Sequence, residues 1–425
     1  MWRGCETGLS ARVGLEHNPL HSPRQLILKL NRTFSTFVNL LKMGALFSKS
    51  KPSQCHNFSF LEDTNTIEVI KEAHTFFILR GLPGSGKTTI AKQITERYPL
   101  ISASVSADAL KICPQEESED DSSRYSKLDQ QIEQCFEDGK KVIVVDDTHH
   151  YRQRLDYLFE LARKKDYIVF LVDCRNPKSN DLNVLAKCSH WKLPVQSIKM
   201  METSVKQIII PYFFGWFLVK QDAEKMCEIA MDFLDQLSKT EAFLQEFEKH
   251  VNLDSKDGFN LQKYFQKKSS MLHCTTMFCD YGKVPNCESY AVDEVVNNSL
   301  HKSFVLKVSA LFVTPRTVGA RVLLDEQQQQ LWPKAEEENE IKMGLPRTSR
   351  SHITLACAPG VDMVQTGIDL LTILKDEKKG KLEQVMIKQG PLWCLGDGQW
   401  IVNLPKPIQV KTLFSGFYAK DFEGK

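Results

Sequence analysis

A glycine-rich loop between an apolar run and a helical segment most constrains what this chain can fold into. Residues 81–88 read Gly-Leu-Pro-Gly-Ser-Gly-Lys-Thr, the pattern G-x-x-x-x-G-K-T. The apolar run 75–80 precedes the loop, and residues 89–94 follow it with helical periodicity. In this context glycines let backbone N–H groups close around phosphate at a helix N-terminus. The sequence therefore predicts an α/β P-loop domain that binds a nucleotide.

The loop and a later strand contain the residues expected to hold the nucleotide and its metal ion. Lys87 is expected to contact the terminal phosphates and Thr88 to hold Mg²⁺. The apolar run 141–147 ends in two acids, and Asp146 is a Walker-B-like partner for the same ion. The residues predicted to bind ATP or GTP with Mg²⁺ are Gly81, Gly84, Ser85, Gly86, Lys87, Thr88 and Asp146.

Phosphoryl transfer by this domain is less strongly predicted than nucleotide binding. Asp108 could act as a base toward a hydroxyl group, but a helix N-cap is the simpler interpretation. Arginines normally stabilise a transferred phosphate, yet none lies between Asn176 and Pro315. Lysines in this stretch could replace them only as point charges: Lys178, Lys187 and Lys192.

Composition and charge exclude several classes of protein. Hydrophobic residues make up 42% and charged residues 25%, the balance of a globular protein. The 55 Lys and Arg nearly match the 53 Asp and Glu, so no global field attracts nucleic acid or anionic membrane. No apolar run approaches the roughly 20 residues that span a bilayer. Twelve cysteines without a Cys-x-x-Cys pair predict reduced thiols and a cytoplasmic protein.

Residues 1–60 read as a targeting or flexible extension. Residues 1–42 carry six basic and two acidic side chains, with apolar residues at helical spacing from Leu26 onward. This pattern resembles a mitochondrial transit peptide, and a disordered tail with one helix explains it equally well. Residues 43–48 fit an N-myristoylation motif only if translation starts at Met43. We expect a P-loop domain at 61–205 and a catalytic domain at 206–425.

Two His-x-Thr pairs mark the second half of the chain. His273 and Thr275 form one pair, His352 and Thr354 the other, each in a segment that reads as a strand. Side chains two residues apart on a strand project from the same face. Two imidazoles can serve as base and acid near neutral pH, while threonine hydroxyls stabilise phosphate oxygens. The pattern suits metal-free hydrolysis of a cyclic phosphodiester.

A single pair of this kind is a weak signal. His301 begins a similar pattern, His-Lys-Ser, ahead of an apolar run. A histidine on a strand is more often a core residue with satisfied hydrogen bonds than a catalytic one. Two pairs with threonine leave the catalytic and the structural interpretations about equally supported by the residues themselves.

Longer segments carry a resemblance to known families, at 212–217, 272–276, 278–283, 309–315, 319–322, 330–333, 345–347, 352–355 and 364–367. On these segments the second half resembles the two-histidine phosphoesterase superfamily, and more closely its 2′,3′-cyclic-nucleotide 3′-phosphodiesterases of vertebrate myelin. The first half resembles the polynucleotide-kinase branch of P-loop proteins. The resemblance runs from about Met43 to the end, and His301 lies outside its motifs.

The resemblance implies an α/β P-loop domain followed by an α+β two-lobed two-histidine phosphoesterase domain. It implies hydrolysis of nucleoside or RNA-terminal 2′,3′-cyclic phosphates to 2′-phosphates without a metal or other cofactor. We expect His352 to act as base and His273 as acid. The active site implied comprises His273, Thr275, His352 and Thr354, with Phe278, Arg350 and Val364 lining the pocket.

Two other functions are compatible with the same residues. In one, the P-loop domain phosphorylates 5′-hydroxyl ends during RNA-end repair. In the other, the chain is an RNA-binding scaffold that associates with the membrane surface or the cytoskeleton. Members of the family usually end in a prenylated cysteine motif, and no cysteine lies four residues from the end of this sequence. Prenylation is therefore not expected here.

Overall fold

In the computed structural model, two sheets of different construction follow one another along the chain. The model describes residues 58–114, 121–174, 181–251, 260–266, 271–380 and 383–420. These belong to one compact unit, Asn57–Lys425. The predictions for residues 1–42 and for the Met43 motif lie outside the described residues.

The first sheet is parallel and carries the glycine-rich loop. Its strand order is β2-β3-β1-β4, and all four strands pair in parallel. The strands β1, β3 and most of β4 are buried on both faces, which explains their continuous apolar sequence. The strands are β1 Thr75–Arg80, β2 Ser102–Ser106, β3 Val142–Asp146 and β4 Ile168–Asp173.

Helices precede, connect and follow these strands. They are α1 Ser59–Glu62, α2 Thr64–Glu72, α3 Lys87–Arg97, α4 Asp121–Glu137, α5 Arg152–Lys164, α6 Leu182–Cys188 and α7 Val195–Val205. Helix α3 begins at Lys87, directly after Gly86, whose φ of 93° is a left-handed conformation that favours glycine. The prediction of strand, loop and helix over 75–94 is confirmed.

The second sheet has eight antiparallel strands within the described residues. They are β5 Phe213–Leu218, β6 His273–Phe278, β7 Ser303–Val313, β8 Thr317–Leu323, β9 His352–Cys357, β10 Glu383–Ile387, β11 Gly390–Gly396 and β12 Gln399–Phe417. The helices of this half are α8 Lys220–Ser238, α9 Glu241–Phe247, α10 Leu261–Tyr264, α11 Cys287–Val292, α12 Glu294–Ser299, α13 Glu326–Gln329, α14 Lys334–Lys342 and α15 Gln365–Glu377. The helical stretch predicted over 221–267 is thus broken into separate helices.

Strand β12 gives the second sheet its two lobes. Its first part pairs with β11 and β7, its last part pairs with β7 and β5, and the register shifts between Asn403 and Ile408. Strand β6 continues one lobe beyond β5, and β9 continues the other beyond β8. Although β6 and β9 are the far ends of this path, they lie next to each other. The sheet therefore curls until its ends face one another.

The two sheets share one hydrophobic core. Phe77 and Phe170 of the parallel sheet belong to the same buried cluster as Phe213 and Phe417 of the antiparallel sheet. The Ser415 hydroxyl donates a hydrogen bond of 2.6 Å to the carbonyl oxygen of Val169. The boundary predicted at 205–206 falls between the last parallel strand and the first antiparallel one. The domain ranges remain predictions.

His301 lies in this shared region. Its ring lies 4.4 Å from that of Phe170 and 6.1 Å from that of Phe60, measured between centroids. Burial lowers the pKa of His301 to about 3. The histidine is therefore a neutral core residue, as its position outside the family motifs suggested.

The structure describes the state of most cysteines and the length of the helices. The ten cysteines in the described ranges are all free thiols, and six of them are buried. Among the helices that the structure describes, none combines the length and apolarity needed to cross a bilayer.

We predict that His301 makes the free energy of unfolding depend on pH. The pKa of this residue is about 3 when folded and about 6.5 when unfolded, so the unfolded state takes up the extra proton between these values. The stabilisation is complete above pH 6.5 and is lost as the pH falls. Urea titrations at several pH values between 4 and 6 give the free energy of unfolding as a function of pH. The slope of this free energy against pH should be smaller in His301→Asn by about 1.4 kcal/mol per pH unit. Exposed His190→Asn is the control, and equal slopes in both variants would contradict the prediction.

Candidate active site

The two predicted His-x-Thr pairs lie on neighbouring strands from opposite lobes. On β6, His273 and Thr275 are partly exposed, while Cys274 and Thr276 between and after them are buried. On β9, His352 and Thr354 are partly exposed around a buried Ile353. The alternation of a strand thus directs each pair to the open face, as predicted. Strands β6 and β9 are adjacent and the charge of His273 acts on His352, so the two pairs lie close together.

His273 is held by a backbone carbonyl and by an aromatic ring. Its Nδ1 lies 3.0 Å from the carbonyl oxygen of Met271. Its ring stacks on Phe213, with centroids 4.5 Å apart and planes 22° apart. Burial lowers the pKa of His273 to about 4. The imidazole is therefore neutral at pH 7 in the free protein.

His352 is held in the same way on the other lobe. Its Nδ1 lies 2.6 Å from the carbonyl oxygen of Arg350, also two residues earlier. Burial lowers the pKa of His352 to about 4, with a further lowering from the positive charge of Arg350. A carbonyl oxygen can only accept, so Nδ1 carries the proton in both neutral rings. Nε2 is then the unprotonated nitrogen in each.

A buried cysteine lies behind the histidines, where the two lobes meet. Burial raises the pKa of the Cys274 thiol on β6 to about 12, an effect that the nearby backbone N–H of His352 on β9 reduces. Gly215 on β5 allows β6 to approach, because a Cβ there would lie 2.6 Å from the carbonyl oxygen of Cys274. Strands β5 and β6 are therefore in close contact beside the first His-x-Thr pair.

The first turn of α15 forms a wall of the cleft above His352. A Cβ on Gly367 would lie 2.8 Å from Cε1 of His352 and 3.0 Å from Nε of Arg350, so only glycine fits there. The Thr354 hydroxyl faces the residues before this helix, 3.5 Å from the carbonyl oxygen of Met363. Val364 is the N-cap and is 51% exposed. A helix N-terminus in this position favours an anion.

Phe278 forms an exposed aromatic surface at the end of β6. It is 42% exposed and packs edge-to-face on Tyr212, with centroids 5.0 Å apart. Tyr212 in turn contacts Tyr281 at 5.2 Å. An exposed aromatic ring that is held in place by a neighbouring ring is suited to stacking with a nucleobase. The sequence did not assign Tyr212 to the site, although it lies within one of the quoted segments.

Arg350 is anchored by acidic residues of α14. Its Nη1 lies 2.6 Å from Oε1 of Glu336. The buried carboxylate of Glu340 accepts hydrogen bonds from the backbone N–H groups of Thr348 and Arg350, at 2.6 and 2.8 Å. Because the Arg350 carbonyl holds His352, Glu340 also supports the orientation of that ring. The sequence had no signal for Glu340.

The predicted phosphate-binding residues form a second site on the parallel sheet. Lys87 Nζ donates to the carbonyl oxygens of Gly81 and Leu82, at 2.9 and 3.0 Å. The Thr88 hydroxyl donates to Oδ2 of Asp146 at 2.7 Å. Burial raises the pKa of Asp146. Ser85 is buried, and its hydroxyl has no hydrogen-bond partner among the residues that the structure describes.

A cavity of about 290 Å³ opens beside this loop. Gly84, Gly86 and Thr88 line it on one side, with Asp108 and Trp191 on the other. The interpretation of Asp108 as a helix N-cap is wrong, since residues 107–111 form a turn and no helix begins there. Its carboxylate instead accepts a hydrogen bond of 2.7 Å from the Trp191 indole. No arginine is among the described residues that line the cavity.

The structure therefore brings the predicted residues together in two separate groups. The His-x-Thr pairs lie on adjacent strands, with Phe278 at the end of β6 and Arg350 before β9, and Val364 caps the helix whose Gly367 closely approaches His352. The phosphate-binding set lies at the ends of β1 and β3. In the described ranges, no three His, Cys, Asp or Glu side chains cluster as a metal site would require.

Comparison with known proteins assigns a family to both halves. Residues 210–424 match the family 2′,3′-cyclic nucleotide 3′-phosphodiesterase, and residues 76–180 match an AAA domain. The chain is 40% identical over 394 residues to 2′,3′-cyclic-nucleotide 3′-phosphodiesterase of Rattus norvegicus, covering 92% of this chain and 93% of the relative. With the Mus musculus protein of that name it shares 41% identity over the same lengths. The chain belongs to the 2′,3′-cyclic nucleotide 3′-phosphodiesterase family.

Proposed function

We propose that this chain hydrolyses the 2′,3′-cyclic phosphates of nucleosides or RNA ends to 2′-phosphates, without a metal ion. The observation that carries the proposal is the convergence of two His-x-Thr pairs on adjacent strands of opposite lobes. Both imidazoles have Nδ1 committed to a backbone carbonyl, so both use Nε2 for chemistry. Family membership supports the same reaction.

Hydrolysis requires two proton transfers on opposite sides of phosphorus. The His352 Nε2 removes a proton from water as the water oxygen forms a bond to phosphorus. The bond from phosphorus to the 3′ oxygen breaks, and His273, protonated on Nε2, gives its proton to that oxygen. The product is a 2′-phosphate with a free 3′-hydroxyl group. Afterwards His352 holds the extra proton, and exchange with solvent restores the starting state.

The remaining groups stabilise the negative charge of the phosphate or hold the substrate in position. The hydroxyls of Thr275 and Thr354 stabilise the non-bridging phosphate oxygens, where negative charge grows in the transition state. The N-terminus of α15 adds a positive potential at the same place. Phe278 stacks on the base, and Val364 lines the opposite wall. We extend the proposal to a nucleotide at the end of an RNA chain, because it carries the same cyclic phosphate.

We predict that His273→Ala and His352→Ala each fold normally yet lower kcat by at least about a hundredfold. That loss is the usual contribution of a general acid or base. Hydrolysis of adenosine 2′,3′-cyclic phosphate measures it. His301→Asn is the matched control, since it removes a histidine from a similar pattern outside the cleft. Retention of activity by both alanine variants would contradict the assignment.

The pH dependence should follow from the lowered pKa values of both histidines. Catalysis needs His273 protonated and His352 neutral, while burial favours the neutral form of each in the free protein. Above about pH 5 the protonated fraction of His273 falls, so kcat/KM should decrease as the pH rises toward 8. A bound phosphate anion raises the pKa of the acid, so kcat should decrease at a higher pH than kcat/KM. A kcat/KM that rises over this range would contradict the scheme.

We further propose that the P-loop site binds ATP or GTP with Mg²⁺. The donor set fits: the Thr88 hydroxyl and the Asp146 carboxylate are hard oxygen ligands, and the buried Ser85 hydroxyl is left without a partner. These two oxygens would hold the ion, which would neutralise the charge of the phosphates. Lys87 would leave the loop carbonyls to contact the terminal phosphates. The matching AAA domain supports this proposal.

We predict that Lys87→Ala lowers the affinity for ATP with Mg²⁺ at least about tenfold while cyclic phosphate hydrolysis is unchanged. The two sites lie on different sheets, so removing a phosphate-binding side chain from one should not affect the other. Isothermal titration with ATP and the hydrolysis assay measure the two effects. Exposed Lys92 on α3 offers a matched control as Lys92→Ala. Equal affinity in both variants would contradict the P-loop assignment.

Further roles remain proposals drawn from the family resemblance. ATP-dependent phosphorylation of a 5′-hydroxyl RNA end is less favoured than nucleotide binding, because no arginine lines the described part of the cavity. We propose a cytoplasmic location, with attachment to a membrane surface or to the cytoskeleton. The long N-terminal extension would direct a fraction of the protein to mitochondria. Fractionation of chains that start at Met1 and at Met43 tests these locations.

A further inference from the structure

A buried carboxylate behind the cleft has no role in the reaction scheme above. Asp369 lies on α15, and its side chain is fully buried. Its two oxygens accept hydrogen bonds from the hydroxyls of Thr314 and Thr317, both at 2.7 Å, and from the Gln365 amide at 2.8 Å. Arg316 completes the set at 2.5 Å. Burying a charge is destabilising unless the charge is paired and hydrogen-bonded, as it is here.

The hydrogen bonds of Asp369 fix α15 to the turn between β7 and β8. Thr314 and Arg316 belong to this turn, Thr317 is the first residue of β8, and Gln365 is the first residue of the helix. Two residues before Asp369 in the sequence, Gly367 approaches the His352 ring so closely that no Cβ fits. Any shift of the helix relative to the sheet would therefore move the wall against which His352 rests.

Asp369 also affects the charge of His352. Three ionisable side chains from different elements act on this imidazole. Arg350, before β9, and His273, on β6, disfavour its protonated form, whereas Asp369 on α15 favours it. Among the described residues, the negative charge of Asp369 thus offsets the effects of Arg350 and His273 on the pKa of His352. Arg316, 53% exposed at the surface, reduces this effect because it pairs with the same carboxylate.

We propose that Asp369 is a positioning residue of the phosphodiesterase, which holds α15 against His352 and sets how readily that imidazole accepts a proton. The inference rests on the proposed function, because it assigns His352 to proton transfer. Arg316 is exposed and pairs with the Asp369 carboxylate, so it weakens the effect of that negative charge on His352. A substitution of Arg316 can therefore change this effect while the carboxylate stays in place. Two substitutions should therefore change the properties of His352 in opposite directions.

The test compares Asp369→Asn and Arg316→Gln in the full chain. Asp369→Asn removes the negative charge and should lower kcat/KM for adenosine 2′,3′-cyclic phosphate at least about tenfold, with the low-pH limb of the profile, which His352 sets, displaced to lower pH. Arg316→Gln keeps the carboxylate and removes its counter-charge, so the low-pH limb should move to higher pH. Asp376→Asn, the same change later on the same helix, is the control and should leave the profile in place.

A direct titration of His352 separates this inference from the proposed function. Nuclear magnetic resonance of histidine-labelled protein follows each imidazole, and the His352 signal is identified by its loss in His352→Gln. Opposite displacements of its midpoint in the two variants support the positioning role, even in a protein that hydrolyses nothing. An unmoved His352 titration, or displacements in the same direction, would overturn it. Absence of hydrolysis by the unsubstituted protein would instead contradict the proposed function.

Discussion

The candidate active site depends on the close approach of two strands that are not partners in the sheet. Strand β12 runs for 19 residues through both lobes, and its register shift lets the sheet curl. The curl brings β6 beside β9, so the two His-x-Thr pairs come from adjacent strands of opposite lobes. The candidate site is therefore built on strands rather than on loops. Side chains on such a scaffold are held more precisely than side chains on loops.

Burial and hydrogen bonding give the two histidines matched properties. Each donates Nδ1–H to the carbonyl of the residue two positions earlier, and burial lowers the pKa of each to about 4. Because both imidazoles are neutral at pH 7, neither ring contributes a positive charge to the site before an anion binds. The anion itself then favours protonation of one of them. In the mechanism proposed above, the substrate would thus raise the pKa of the acid that its own cleavage requires.

The fold and the local chemistry could be predicted from short-range patterns. The loop 81–88 predicted its strand and helix because its glycines have a single structural use. Strand alternation predicted that His273 and Thr275 share a face, as His352 and Thr354 do. Contacts between distant segments could not be predicted in this way. Glu340 and Asp369 look like ordinary helix-surface acids in the sequence, and only the packing of α14 and α15 buries them. The N-cap prediction for Asp108 was wrong because its partner, Trp191, is 83 residues away.

The most direct test of the central claim is the identity of the product in the presence of EDTA. The purified chain would be incubated with adenosine 2′,3′-cyclic phosphate, and the two phosphate isomers separated by chromatography. We expect adenosine 2′-phosphate alone, formed at the same rate with and without the chelator. Formation of the 3′ isomer would reverse the leaving group assigned to His273. No turnover by folded protein would contradict the assignment of the cleft as a phosphodiesterase site.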